Sequence, residues 1–301
     1  MNLDELQPWG GLVISDSSRE PADVVVVGIS YDGSAVYRKG AALAPARIRS
    51  LSAAMPPVTE DGRLLTDLRV RDLGDLDAGA EIETSWQRVA GVLTDVPASS
   101  LLTVLGGDHC TAIATLAAQA KRHPGLAVLW VDAHPDLCDF SRGGNWTCGC
   151  ALRRALDVSG LDPGRVVIAG GRDYDPEELD FIAGHGILLV SARELASDWR
   201  RSIERIAHRL AGQNVHVSFD IDVLDPAFAP GTEIPSAGGL STRQALDLLG
   251  AVTELATPVG LDIVEVSPPF DNGDITTFAA LKVIFEFWGM AALASHAEGR
   301  S

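Results

Sequence analysis

Residues 128–139 read VLWVDAHPDLCD. The first four residues of this stretch are apolar and predict the end of a buried strand. Polar residues then follow at alternate positions, as Asp132, His134 and Asp136. Residues two apart in an extended segment point to the same side, so these three side chains are expected to face one small volume. Buried carboxylates need a counter-charge to stay ionised, and the stretch therefore predicts a cation next to the end of a strand.

Short apolar stretches rich in β-branched residues recur along the chain and alternate with longer amphipathic ones. Seven stretches predict buried strands, at 23–29, 101–107, 126–131, 165–171, 186–190, 214–219 and 260–266. Helical spacing of apolar residues is found at 111–122, 176–184, 198–211, 241–255 and 276–294. This alternation predicts a three-layer α/β/α fold with a mostly parallel sheet. No repeat or linker divides the sequence, so residues 1–301 are expected to form one domain with a surface loop at 52–64.

The composition is typical of a soluble globular protein, with 46% apolar and 22% charged residues among 301. Uninterrupted apolar runs are short, so no membrane span is expected. The N-terminus is acidic and lacks a secretory pattern, which predicts a cytoplasmic protein. The formal charge of −17 disfavours nucleic acid and anionic membranes as partners and suits a small cationic substrate. The four cysteines form no CxxC pair, so neither a disulfide framework nor a zinc module is expected.

Other predicted strands also run into polar residues. Asp108 and His109 follow 101–107, Asp220, Asp222 and Asp225 follow 214–219, and Glu265 lies within 260–266. Ligands of parallel sheets bind beyond the carboxyl ends of the strands, so these side chains are expected to converge. One such cluster alone is more typical of a solvated loop or a helix cap, but three together indicate metal ligands. A carboxylate-rich set with one histidine per metal favours two Mn²⁺ ions.

Several segments resemble one known family. The motifs GGDH at 106–109, DAHPD at 132–136 and SFDIDVLDPAFAPG at 218–231 resemble the metal-binding motifs of the ureohydrolases, which include arginase, agmatinase, guanidinobutyrase and formimidoylglutamase. Segments 28–49 and 261–280 also resemble this family, especially its agmatinase-like branch. The resemblance implies an arginase-like fold, hydrolysis of a C–N bond in a small guanidino or amidine substrate, and a homo-oligomer, either a trimer or a hexamer.

The resemblance also implies roles for individual residues. One Mn²⁺ is expected at His109, Asp132, Asp136 and Asp220, and the other at His134, Asp132, Asp220 and Asp222. A water between two such cations loses a proton near neutral pH and attacks the guanidinium carbon. Asp136 is implied to hold this nucleophile and move its proton, and Glu265 to accept hydrogen bonds from the substrate's N–H groups.

Cys148 departs from the family pattern, because the family usually has a histidine at this position that is thought to carry protons to the leaving amine. A thiol is a poorer proton carrier near pH 7, since its reference pKa is about 8.5 rather than about 6.5. Several interpretations therefore stay open. Besides a guanidino ureohydrolase, the departure is compatible with a formimidoylglutamase, a hydrolase of an N-hydroxyguanidine, or a metal-binding scaffold that has lost its activity. Cys148 itself is the proton carrier, a packing residue or, least favoured, a nucleophile that needs a nearby histidine base.

Two further acidic residues concern the substrate's tail, the part of the substrate beyond the reacting group. The segment RDYDPEE at 172–178 resembles a segment of arginase, which implies that Asp175 binds a substrate amino group. Glu233 stands where the family commonly has glycine, and a charge on a surface loop is favoured over a second cation-binding group. The leading hypothesis is a dinuclear-manganese ureohydrolase of the agmatinase or guanidino-acid type that releases urea. Formimidoylglutamase, which releases formamide, is the alternative.

Overall fold

The chain is built around one parallel sheet. The computed structural model describes residues 7–15 and 20–298. Its strands are β1 (Val24–Ile29), β2 (Val70–Leu76), β3 (Leu101–Leu105), β4 (Ala127–Val131), β5 (Val166–Ala169), β6 (Leu188–Val190), β7 (Asn214–Asp220) and β8 (Thr257–Val264). They are arranged in the order β2-β1-β3-β8-β7-β4-β5-β6, and all seven pairings between neighbours are parallel.

Helices cover both faces of the sheet. They are α1 (Ala44–Ser52), α2 (Ile82–Thr94), α3 (Thr111–Arg122), α4 (Ala151–Ser159), α5 (Pro176–His185), α6 (Ala192–Ser197), α7 (Trp199–Leu210), α8 (Thr242–Thr253) and α9 (Ile275–Glu298). Helices α2 to α5 pack with one apolar cluster, and α1 with α6 to α9 packs with the other. The predicted α/β/α architecture is therefore confirmed.

All seven predicted strands and all five predicted helices are present, with ends that shift by a few residues. Strand β2 was not predicted, because its sequence VRDLGDL is largely polar and only its first residue is buried at the edge of the sheet. Segment 52–64 is irregular after the end of α1, as expected. The prediction of one domain over 1–301 includes residues 1–6, 16–19 and 299–301, which lie outside the described residues.

Helix α9 corrects the expectation that no segment has the length of a membrane span. Its residues Ile275–Ala294 are long and apolar enough to cross a membrane by length and composition. Of its most apolar stretch, however, 61% is buried within the protein. Phe285, Phe287 and Trp288 are almost fully enclosed, and the Trp288 indole donates a hydrogen bond to Thr103 Oγ1 of β3 at 3.0 Å. Burial against the sheet accounts for the apolar composition of this helix.

The register of the four central strands positions the polar residues. Leu105 of β3, Ile263 of β8, Phe219 of β7 and Val131 of β4 are paired in one row across the sheet. Parallel strands end on the same side, so the residues that follow this row share one edge. The polar segments that the sequence singled out all begin at this edge.

Candidate metal centre and active site

The site residues come from the carboxyl ends of four adjacent strands. His109 lies between β3 and α3, and Asp132 directly follows β4. Asp220 ends β7, Asp222 follows it in a short 3-10 helix, and Glu265 directly follows β8. All five residues are at least 95% buried. The convergence that was expected from three separate clusters is therefore present in the structure.

The imidazole of His109 is the centre of the first ligand group. Its Nδ1 lies 3.0 Å from Asp132 Oδ2, 3.2 Å from Asp136 Oδ2 and 3.1 Å from Asp220 Oδ2. Adjacent ligands of an octahedral cation with bonds of about 2.1 Å are separated by about 3.0 Å. These three distances are therefore those expected of atoms around a single cation.

The second ligand group is formed by His134, Asp132 and Asp222. The Nδ1 of His134 lies 3.1 Å from Asp222 Oδ2 and 3.6 Å from Asp132 Oδ1. Asp132 thus has one oxygen in each group, which is the arrangement of a bridging ligand. The Oδ2 of Asp220 belongs to the first group, and its Oδ1 accepts a hydrogen bond from the Asp222 N–H at 2.7 Å. The predicted bridging role of Asp220 stays a prediction.

The electrostatics of this cluster favour a bound cation. Burial raises the pKa of Asp136 to about 8, and burial together with neighbouring carboxylates also raises the pKa values of Asp220 and Asp222. Burial opposes ionisation of Asp132 too, but the two neighbouring imidazoles outweigh it and hold the pKa of this carboxyl well below its usual range. The buried His109 Nδ1 and Asp132 Oδ2 have no hydrogen-bond partner. Four buried carboxylates and two imidazoles, placed this close together, form a ligand set that suits two divalent cations.

Two residues that the sequence analysis did not identify orient His109. Its Nε2 lies 3.0 Å from Ser218 Oγ, and its ring stacks on Trp130 with centroids 3.8 Å apart. A partner on one ring nitrogen determines which nitrogen faces the metal. A signal was present in the sequence, because His216, Ser218 and Asp220 place polar residues at every second position of an otherwise apolar strand.

The backbone is unusual at two of the site residues. Asp136 has φ 55° and Glu265 has φ 63°, values in the left-handed region that non-glycine residues rarely adopt. Such residues cost about 1–3 kcal/mol each and persist where the surroundings hold them in place. The N–H of Glu265 is held by the carbonyl of Gly107 at 2.8 Å. Gly107 itself must be glycine, because a Cβ there would lie 1.6 Å from the carbonyl oxygen of Tyr31.

Glu265 has one oxygen available to a ligand. Its Oε1 accepts a hydrogen bond from the His109 N–H at 2.7 Å, whereas its buried Oε2 has no partner. Burial and the surrounding carboxylates raise the pKa of Glu265 well above its usual range. Glu265 lines a cavity of about 310 Å³ that is also lined by His109, Asp136 and Asp222. The placement suits the predicted substrate-binding role of Glu265, which stays a prediction.

Glu233 is not on the protein surface, so the favoured interpretation of this residue was wrong. It is only 2% exposed and lines the same cavity. Its Oε1 accepts hydrogen bonds from the backbone N–H groups of Val36 at 2.7 Å and Tyr37 at 2.6 Å. One carboxylate oxygen therefore satisfies two backbone donors and ties the loop that carries Glu233 to residues 36–37.

Cys148 also lines the cavity, and its Sγ donates a hydrogen bond to Glu233 Oε2 at 3.9 Å. Burial raises the pKa of the Cys148 thiol well above its usual range, and the carboxylates of Glu265 and Glu233 raise it further. The residue is therefore a neutral thiol at pH 7. This argues against Cys148 as a nucleophile, because the thiolate is the reactive form.

The mouth of the cavity carries charges of both signs. Asp175 is exposed there, directly before α5, and its Oδ2 accepts a hydrogen bond from Cys138 Sγ at 3.4 Å. Cys138 and Cys110 are buried, as expected of packing residues. Arg142, which the sequence analysis did not identify, is the one lysine or arginine among the described residues that line this cavity.

Comparison with known proteins gives the family. The model of the Arginase family matches residues 22–289. Proclavaminate amidinohydrolase of Streptomyces clavuligerus is 39% identical over 271 residues, which are 87% of this chain and 85% of the relative. The solved structure of that name superposes with a TM-score of 0.88 and 34% identity, over 96% of this chain and 98% of the other.

Two further relatives extend the comparison. Guanidinopropionase of Pseudomonas aeruginosa is 37% identical over 271 residues, with 87% of this chain and 85% of the relative covered. Agmatinase of Bacillus cereus is 32% identical over 293 residues, with 95% of this chain and 98% of the relative covered. The predicted resemblance is thereby confirmed, and the chain is a hydrolase of C–N bonds in linear amidines. It belongs to the arginase family.

Proposed function

We propose that this protein is a dinuclear-manganese ureohydrolase that releases urea from a small guanidino acid. One observation supports this most strongly. A single cavity brings residues of both candidate ligand groups together with the unpaired Oε2 of Glu265. A cationic planar group can therefore hydrogen-bond to Glu265 while its carbon lies close to the metal ligands.

The chemistry divides between the cations and the side chains. Divalent cations held by the two ligand groups would lower the pKa of a bound water and so would supply hydroxide near neutral pH. Asp136 is positioned to accept a hydrogen bond from this nucleophile and to carry its proton, since its carboxylate is part of the first ligand group. Glu265 orients the guanidinium through charge-assisted hydrogen bonds. Manganese is favoured over zinc or copper because most of the ligands are carboxylates.

The substrate's tail is inferred from the mouth of the cavity. Arg142 is exposed there and has no ion pair with another described residue, so a substrate carboxylate is a suitable partner. The likeness to a relative named guanidinopropionase supports the same choice. Agmatine, with an amine tail, is the second candidate, because Asp173 and Asp175 also lie exposed at the mouth.

Urea release by the Mn²⁺-reconstituted protein tests the proposal. The panel consists of 3-guanidinopropionate, 4-guanidinobutyrate, agmatine, arginine and N-hydroxyarginine, with formamide release from formimidoylglutamate measured in parallel. We expect a guanidino acid to have the highest kcat/KM. The Arg142→Ala variant should lose about tenfold for the acids and little for agmatine, since one exposed charge-assisted contact is removed.

Each other outcome contradicts a part of the proposal. Preference for agmatine would mean that Asp173 or Asp175 binds the amine at the end of the substrate. Release of formamide alone would make the protein a formimidoylglutamase. If none of the compounds is hydrolysed, the proposed ureohydrolase activity on these substrates is contradicted. The proposal also includes a trimeric or hexameric assembly, which the molar mass in solution tests.

A further inference from the structure

Glu233 and Glu265 hold their carboxylates in the same way. In each residue, Oε1 accepts hydrogen bonds from the backbone. Glu265 Oε1 accepts from the N–H of His109, and Glu233 Oε1 accepts from the N–H groups of Val36 and Tyr37. Each side chain is at least 95% buried and lines the cavity. The second oxygens are left for a ligand, since Glu265 Oε2 has no partner and Glu233 Oε2 receives only the weak donor Cys148 Sγ.

The two carboxylates are close enough to share one ligand. One oxygen of Glu233, one of Glu265 and the Sγ of Cys148 all lie within 4.8 Å of one another. Two oxygen atoms can accept hydrogen bonds from the same –NH₂ group. With N···O distances of about 2.8 Å and an O···N···O angle of about 120°, the two oxygens are about 4.8 Å apart. The two carboxylates are thus within reach of one planar group with several N–H donors.

Within residues 7–15 and 20–298, no lysine or arginine side chain forms an ion pair with Glu233 or Glu265. Arg38 contacts the loop that carries Glu233, but its guanidinium donates to the backbone carbonyls of Thr232 and Glu233 and not to the carboxylate. Arg172 donates to the carbonyl of Ser236 in the same loop. Arg142 lines the mouth of the cavity and has no hydrogen bond to either carboxylate among the described residues. Two buried carboxylates this close to each other disfavour the ionisation of both unless a cation binds between them, so a cationic ligand is a suitable partner.

We propose that Glu233 is a second substrate-binding residue and that it forms, with Glu265, a two-carboxylate clamp for the guanidinium group. The inference deepens the proposed function and rests on it for the statement that the substrate carries a guanidinium group. It has a consequence for turnover. The guanidinium substrate is a cation and is held by two anions, whereas the urea product is neutral and loses both charge interactions. The clamp therefore favours binding of the substrate and release of the product.

The test uses the guanidinium ion alone, so it does not depend on the substrate's tail. Binding of guanidinium and of urea to the manganese-loaded protein is measured by calorimetry at millimolar concentrations. In Glu233→Gln, the side-chain oxygen still accepts from Val36 and Tyr37 while the charge is removed. We expect this variant to bind guanidinium at least about tenfold more weakly and to bind urea unchanged. For a guanidino acid that is hydrolysed, KM should rise more than kcat falls.

Controls separate a clamp from a general effect of charge or folding. Glu177→Gln makes the same chemical change at an exposed residue outside the cavity and should leave guanidinium binding unchanged. Glu233→Asp keeps the charge but withdraws it from the clamp, and it should also weaken binding. The variants should retain two manganese ions and the wild-type circular dichroism spectrum, which shows that the fold is intact.

The outcomes distinguish this inference from the proposed function. Weaker guanidinium binding in Glu233→Gln supports the clamp even if no compound of the panel is hydrolysed. Equal binding in wild type and Glu233→Gln, or no binding in either, overturns the clamp even if urea is released from a guanidino acid. A third metal ion that is lost in Glu233→Gln would also overturn it, because Glu233, Glu265 and Cys148 would then be metal ligands.

Discussion

Cys148 and Glu233 are 85 positions apart in the sequence and are in contact in the structure. Both differ from the residues that the ureohydrolase pattern has at these positions, and both line the cavity. In the sequence the two residues are unconnected, since nothing in a linear pattern links two loops that follow different strands. Their contact makes a joint change of the substrate-binding region a better account than two unrelated substitutions.

Ser218 offers a test of how the first ligand group is oriented. Ser218→Ala removes the partner of His109 Nε2 while leaving every candidate metal ligand in place. We expect manganese affinity to fall about 10–100-fold, because the imidazole loses the hydrogen bond that fixes its orientation. The measurement is a manganese titration of the metal-free protein. Ser202→Ala, at a buried serine of α7, is the control, and an equal loss there would contradict a specific role for Ser218.

The protonation state of Cys148 gives a second test. Burial and neighbouring carboxylates raise the pKa of its thiol, so the reactive thiolate is scarce at neutral pH. In the native protein at pH 7.5 we expect iodoacetamide to modify Cys148 far more slowly than in the urea-unfolded chain, as followed by mass spectrometry. Rapid modification of Cys148 in the folded protein would indicate a thiolate and would restore the nucleophile hypothesis.

At the scale of the elements, strand and helix positions were predictable where the sequence is apolar and periodic. The predicted helix at 111–122 matches α3 (Thr111–Arg122), because its two faces differ clearly in polarity. Strand β2 lies at the edge of the sheet and is mostly polar, so no apolar run identifies it. Buried apolar strands thus provide a strong signal and half-exposed edges a weak one.

The loop between β3 and α3 is the element whose close packing is most easily tested. Gly107→Ala places a Cβ 1.6 Å from the Tyr31 carbonyl oxygen, so the loop that carries His109 must shift. We expect a loss of about 1–3 kcal/mol in the free energy of unfolding, together with weaker manganese binding. Denaturant unfolding and a manganese titration measure the two effects.

Gly91→Ala is the matched control for this substitution. Gly91 lies in α2, and a Cβ there meets no atom within 4 Å. Alanine is the better helix former, so this variant should be more stable than the wild type by about 0.5–1 kcal/mol. Similar losses in both variants would mean that the contact with Tyr31 does not determine the effect.

At the scale of the whole molecule, the metal-free protein should become less stable as the pH rises. The pKa of Asp136 is raised from 3.8 to about 8 in the folded state, so the folded protein binds more protons than the unfolded chain between these values. Stability is therefore greatest below about pH 4 for this group and is lost as the pH approaches about 8.

Thermal unfolding at pH 5.5 and pH 8 measures this dependence. Without metal, Tm should be lower at pH 8 by more than about 2 °C, the shift that about 1 kcal/mol produces in a large domain. With manganese bound, the difference should shrink or reverse, because cations replace protons at the carboxylates. A metal-free Tm that rises between pH 5.5 and pH 8 would show that the cluster does not carry the excess protons.

The sequence by itself determined the α/β class, the seven apolar strands and the polar residues that follow them, since each of these depends on residues that are neighbours in the chain. Only the tertiary structure decided that β3, β8, β7 and β4 are adjacent, which brings His109, Glu265, Asp220 and Asp132 to one edge. It also decided that Glu233 is buried beside Cys148. Strand order and loop direction depend on contacts between distant segments, and these are set by packing of the whole chain.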